Sequence, residues 1–187
     1  MDKKTVKVYI PNTGMVNWRL AKMFPEAEYR EFHPIYLNRR HIVKDFLKTD
    51  FTHLIMIDHD VIPVKNPVMV ADKDLDVVGF PTPIYINNRR QWNVYLKPFK
   101  DLEYGSINQI DGKSFQEVDA VGTGCIMIAR RVLEKLENHF DVVMKEDDIK
   151  YGGDIGFCKR AKEAGFKIWA AWDYPCHHYK TIDLLTL

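Results

Sequence analysis

The sequence predicts a single-domain α/β fold with a mostly parallel central sheet and helices on both faces. Three observations predict it. Strand-like and helix-like segments alternate along most of the chain, the pattern that builds βαβ units. The segment His53-Leu54-Ile55-Met56-Ile57 is short and almost wholly apolar, which suits a central strand covered on both faces. The chain has 187 residues, 46% of them hydrophobic, enough to bury one sizeable core.

The elements follow in order. Thr5-Val6-Lys7-Val8-Tyr9-Ile10 is β-branched or aromatic at most positions and reads as a strand, closed by Pro11-Asn12-Thr13-Gly14. Val16, Leu20 and Met23 recur at helical spacing over 15–24, and Pro25 stops that helix. A weaker strand over 26–32 precedes a helix over 38–49, marked by Ile42, Val43, Phe46 and Leu47. The apolar run at 53–57 comes next, then a strand over 74–80. Residues 83–120 are rich in Tyr, Asn and Gln, with turn points at Gly105 and Gly112; they read as irregular antiparallel ribbons and loops. A buried strand over 120–129, a short helix over 130–138 and a helix over 154–164 follow. Gly165 ends that last helix as a left-handed cap, and the final strand spans 166–171.

Composition excludes several classes. Lys and Arg total 27 against 26 for Asp and Glu, a formal charge of +1. Such a balance offers no basic field for nucleic acid. No apolar run approaches the roughly 20 residues of a transmembrane helix, and the first residues lead into a strand instead of a signal peptide. The three cysteines, Cys125, Cys158 and Cys176, are too far apart for a zinc ribbon and too few for a disulfide framework. They point to a reducing compartment, and the expected location is cytoplasmic.

Asp58-His59-Asp60 closes the apolar strand, and ligands of parallel sheets bind outside the carboxyl ends of strands. If the extended geometry persists, Asp58 and Asp60 share a face and His59 turns away. Two convergent carboxylates are hard oxygen ligands suited to Mg²⁺ or Mn²⁺. A solvated turn is the competing reading, but a charge at the rim of a core strand is costly to desolvate. Asp154 follows Gly152-Gly153 at the start of the late helix. It suits an N-cap, and equally a general base beside glycines that admit a substrate. His177-His178 follows the last strand; one histidine can bind metal while the other packs or meets solvent. Gly122-Thr123-Gly124 marks either a bulge or the close approach of a ligand. Asn38-Arg39-Arg40 opens a helix in this reading, so Arg39 or Arg40 would meet a phosphate with backbone amides beside it. Trp92, Tyr85, Tyr95 and Tyr104 in the polar middle are suited to stack on a sugar ring or to pack.

Together these segments resemble a GT-A-type glycosyltransferase of the small, family-2-like bacterial and phage form. The resemblance runs from Val6 to His178. It rests on the strand ending Ile10-Pro11, the Asp58-His59-Asp60 DxD motif, Gly122-Thr123-Gly124-Cys125, and Asp154-Ile155-Gly156-Phe157-Cys158-Lys159-Arg160-Ala161. The last segment is similar to the family's E-D-x-D-F-C-x-R-A-x-x-x-G helix, and Cys176-His177-His178 to its C-G-H ending. The chain departs from the pattern at Gly153, where the family has Glu, and at Gly156, where it has a second Asp.

The resemblance implies a nucleotide-diphospho-sugar transferase fold, with a nucleotide-sugar half over about 1–82 and an acceptor and catalytic half over about 83–187. It implies Mn²⁺ or Mg²⁺ held by Asp58, Asp60 and His178, with His177 in reserve, and Asp154 as catalytic base. Pro11 and Thr13 would line the nucleobase pocket, and Arg39, Arg40, Asp58, His59 and Lys180 complete the donor-binding set. The implied partners are a nucleoside-diphosphate sugar, UDP by default, and a carbohydrate or other hydroxyl acceptor. The implied reaction is glycosyl transfer. A sugar-phosphate nucleotidyltransferase and a non-catalytic nucleotide-sugar or glycan-binding module are the alternatives. The first would want a Gly-rich basic loop where this chain has Pro11-Asn12-Thr13-Gly14-Met15.

Overall fold

The computed structural model describes residues 3–12, 14–31, 34–86, 89–96, 105–108, 112–141, 143–145 and 148–179. Seven strands form the central sheet: β1 (Val6–Asn12), β2 (Glu28–Glu31), β3 (His53–Ile57), β4 (Val77–Gly79), β5 (Phe115–Val118), β6 (Cys125–Ala129) and β7 (Ile168–Ala171). Their order is β5-β7-β4-β6-β3-β1-β2. β1, β2, β3, β4 and β7 run one way, whereas β5 at the edge and β6 in the centre run the other. The sheet is therefore mixed, with most of its strands codirectional.

Helices cover both faces. On one lie α2 (Ile35–Phe46), α3 (Arg130–Lys135) and α4 (Gly153–Glu163). The other carries α1 (Trp18–Met23) and a 3-10 turn, Pro67–Lys73. Strand alternation sorts the core. Leu54 and Met56 of β3, with Ile126 and Ile128 of β6, meet Ile42, Val43, Phe46, Val132, Leu133 and Phe157. Ile55 and Ile57, with Cys125 and Met127, meet Leu20, Phe24, Val70 and Ala71. Each fully buried Val, Leu, Ile, Phe or Met among them contributes about 1.5–3 kcal/mol of transfer free energy. The apolar run at 53–57 thus serves two cores at once, which is why it lacks polar alternation.

Two helix starts differ from expectation. Pro34 stands at the N-cap of α2, where its fixed φ and missing N–H cost nothing. The helix begins at Ile35, so Arg39 and Arg40 sit in its second turn and not at its amide-rich start. In α4 the N-cap is Gly152, and Asp154 lies inside the first turn. Its Oδ1 accepts from the N–H of Ile155 at 2.8 Å. Gly165 does take the left-handed conformation, with φ of +91°.

Short ribbons surround one edge of the sheet. Pro83–Ile86 pairs antiparallel with Arg89–Trp92, and Val94–Leu96 lies between Ala120–Val121 and Gly105–Ser106. Val61–Pro63 pairs with Cys176–His178. Among the described residues no helix is long and apolar enough to cross a membrane.

Candidate functional site

Strand β3 stops at Ile57, and residues 58–60 turn: the N–H of Val61 donates to the carbonyl of Asp58 at 2.9 Å. The turn separates the two carboxylates that an extended chain would have aligned. Asp58 points into a cleft of about 420 Å³, where Arg39, Gly122, Thr123, Gly124, Asp154 and His178 also converge. Asp60 lines a smaller cleft of about 240 Å³ with His59, Asn17 and Tyr179. His59 therefore faces the same side as Asp60, contrary to the extended-strand expectation.

Asp60 is met from across the sequence. Val61–Pro63 pairs with Cys176–His178 in register, with His178 opposite Val61, and the N–H of Tyr179 donates to the carbonyl of Asp60 at 2.8 Å. This ladder brings Nε2 of His178 to 3.2 Å from Oδ2 of Asp60. The other ring nitrogen, Nδ1, lies 2.8 Å from the carbonyl oxygen of Pro83. A carbonyl only accepts, so Nδ1 carries a proton. In the neutral ring, a lone pair on Nε2 then faces a carboxylate oxygen. Two electron-rich atoms so placed need a proton or a cation between them. A metal-ligating histidine commonly donates its other ring N–H to a backbone carbonyl, as Nδ1 of His178 does here. The pair fits a divalent cation as two of its ligands, leaving the other positions to water and phosphate oxygens. Among the described residues no three His, Cys, Asp or Glu side chains form a ligand cluster. His177 is exposed on the opposite face of its strand, its ring 6.2 Å from that of Tyr179.

Asp58 has a different partner. Nη2 of Arg39 donates to both its oxygens, at 2.9 and 3.1 Å. Burial pushes the Asp58 carboxyl up from its ordinary range, and the Arg39 guanidinium beside it pulls it back. Nε of Arg39 is buried without a hydrogen-bond partner among the described residues, while the residue as a whole lines the cleft. Arg40 turns elsewhere and pairs with Asp141 at 3.1 Å.

The glycine segment forms part of the cleft wall. It joins Ala120–Val121, an edge strand of the small three-stranded sheet, to β6 of the central sheet. The N–H of Asp58 donates to the carbonyl of Gly124 at 2.9 Å. A Cβ on Gly122 would stand 2.9 Å from Cβ of Asn93, so this wall closes only with glycine. Asn93 and Thr82, which sequence reasoning did not single out, tie the wall together: the N–H of Thr82 donates to Oδ1 of Asn93 at 2.8 Å. The polar character of 83–120 was the only signal for Asn93, and Thr82, just before that segment, had none. Tyr95 also lines the cleft; burial, then the Asp154 charge, push its hydroxyl up to about 12.

Pro11 is buried near the end of β1, in register with Arg30, and is not among the residues lining this cleft. Thr13, Tyr104 and Lys180 lie outside the described residues.

No protein-family model matches the chain, and no curated protein matches it. Among solved structures the chain is similar to A197 from STIV, with a TM-score of 0.69 and 21% identity over 95% of this chain and 86% of that one. The two share a fold. Weaker likenesses include a CMP:2-keto-3-deoxy-manno-octonic acid synthetase complexed with CTP (TM-score 0.45, 12% identity, 89% of each chain). Another is the inositol-1-phosphate CTP transferase from T. maritima (TM-score 0.43, 8% identity, 97% of this chain and 74% of that one). TM-scores at that level do not establish a common fold.

Proposed function

We propose that this chain is a metal-dependent glycosyltransferase of the GT-A type. It moves a sugar from a nucleoside-diphosphate sugar, with UDP as the default nucleotide, to an acceptor hydroxyl. One observation carries the reading: Asp60 and His178, 118 residues apart, meet at 3.2 Å at the carboxyl end of the sheet, beside a cleft containing Arg39 and Asp154.

Asp60 and His178 are the residues that would hold Mn²⁺ or Mg²⁺. When bound, the ion supplies Lewis-acid stabilisation of the leaving diphosphate. The chain's own groups do the rest. Arg39 adds a fixed positive charge against the diphosphate, and Asp58 holds that guanidinium in place. Gly122 and Gly124 let backbone approach the ligand closely. Asp154 accepts the proton of the acceptor hydroxyl if the anomeric centre inverts.

The test pairs binding with turnover. Mn²⁺ titration followed by electron paramagnetic resonance should show one site, weakened at least about tenfold in Asp60→Ala and in His178→Ala. A donor screen with Mn²⁺ should show release of the nucleoside diphosphate, abolished by EDTA. Full activity in EDTA or in Asp60→Ala would overturn the metal assignment. Pyrophosphate release from a nucleoside triphosphate and a sugar phosphate would assign a nucleotidyltransferase instead. Metal-dependent UDP binding without turnover of any donor would leave a binding module.

A further inference from the structure

A second groove adjoins the candidate centre. It has a volume of about 510 Å³, and its lining includes Pro83, Arg90, Trp92, His177, His178 and Tyr179. His178 lines both this groove and the cleft that holds Asp58 and Asp154. The hairpin Pro83–Ile86/Arg89–Trp92 is the partition between them. In its register Pro83 opposes Trp92, and Tyr85 opposes Arg90, so these four side chains share one face. Pro83, Arg90 and Trp92 accordingly line the groove, while Ile84, on the other face, lines the cleft.

The groove's chemistry is specific. Trp92 is held edge-on against Trp172, with ring centroids 6.0 Å apart. Trp172 is itself anchored by its Nε1–H donating to Oε1 of Gln116 at 2.9 Å. The Arg90 guanidinium lies 4.8 Å from the Trp92 ring centroid and makes no ion pair among the described residues. Among the described residues no Asp or Glu lines the groove. Tyr85, on the same hairpin face, is 74% exposed. A braced indole, two flanking aromatic rings and a cation with no acidic neighbour among the described residues match a sugar ring bearing an anionic group.

We propose that this groove is the acceptor subsite and that it takes an acidic carbohydrate. The Arg90 guanidinium, held over the Trp92 ring, pairs with the sugar's carboxylate, the sugar ring packs along the groove's aromatic wall, and its free hydroxyl is directed past His178 toward Asp154. The assignment of the groove to the acceptor rests on the glycosyl-transfer reading; its preference for acidic glycans does not.

The experiment uses the full chain without donor or metal, so its outcome is separate from that of the transfer assay. Saturation-transfer NMR is run on oligosaccharides ending in glucuronate, galacturonate or sialate, each against its neutral homologue. At least one acidic member should bind about ten- to a hundredfold more tightly than its neutral homologue. Arg90→Gln, a change at an exposed hairpin position, should remove that preference while leaving the thermal midpoint unchanged. Binding of no acidic member, equal binding of the neutral homologues, or an undiminished preference in Arg90→Gln would each overturn the proposal. If acidic glycans bind as expected but no donor is turned over, the groove stands and the glycosyltransferase reading falls.

Discussion

A single nitrogen of Arg39, Nη2, spans both oxygens of Asp58 and so pins α2 to the end of β3. The pair is mostly covered, with side-chain exposures of 13% and 26%. Removing one member of a covered pair strands the other charge. Arg39→Ala should therefore destabilise the protein by about 3 kcal/mol in urea unfolding, and Arg39→Ala/Asp58→Ala should recover part of that loss. The sign of the pH effect follows from the raised Asp58 carboxyl. Its contribution is fully present below the ordinary carboxylate range and is lost as pH rises through the folded-state value. In Arg39→Ala, carbon-detected NMR should show Asp58 titrating at a higher pH than in the parent protein. An unshifted titration would show that Arg39 does not stabilise the ionised form.

Asp74 behaves in the opposite sense. Hydrogen bonds from Arg131, then from Lys4, hold its carboxyl down to about 2. Its contribution is present above the ordinary range and is lost as pH falls from about 4 to about 2. The side chain is 47% exposed, so screening keeps the effect below about 1 kcal/mol. Asp74 also has φ of +52°, a conformation Asn tolerates. Asp74→Asn should flatten the acid limb of stability in that window and leave stability at pH 7 lower by the same small amount. An acid limb as steep as that of the parent protein would contradict this.

In the proposed transfer, Asp154 takes the proton of the acceptor hydroxyl. Asp154→Asn keeps an oxygen to accept from Ile155 N–H while losing basicity. Turnover should fall by about 10²–10⁴, with nucleotide affinity by calorimetry unchanged. Retained turnover would remove Asp154 from the chemistry.

Gly79 in β4 has no room for a methyl group: a Cβ there would lie 2.4 Å from Cβ of Val121. Gly79→Ala should cost about 1–3 kcal/mol as overpacking. Because the clash is with Cβ itself, adding Val121→Ala should not relieve it, whereas adding Val121→Gly should. Denaturant midpoints of the single and double variants distinguish the two.

Much of this molecule was legible in one dimension. β3 spans His53–Ile57 as the apolar run predicts, and Gly165 ends its helix in the left-handed conformation. These are local effects: side-chain period, backbone sterics and the demand of a two-sided core all act within a few residues. The boundaries that moved, at Ile35 and Gly153, moved because helix starts are set by which backbone amides lack partners. That depends on Pro34 and Gly152 as much as on apolar spacing.

The site was legible as a set of residues and not as an arrangement. Sequence marked Asp58, Asp60, Asp154, His178, Arg39 and the glycines, and it placed Asp58 and Asp60 on one face. The turn at 58–60 sends them to different partners, Arg39 and His178. It also could not anticipate that β6 would run antiparallel between β3 and β4, nor that the 83–92 hairpin would divide two clefts. The sequence by itself determined which segments are strand or helix and which side chains are chemically able to act, because both follow from local stereochemistry and residue type. Only the tertiary structure decided which charges face one another, because the packing of α2 on the sheet sets the Arg39–Asp58 distance and strand pairing across 118 residues sets that of Asp60 and His178.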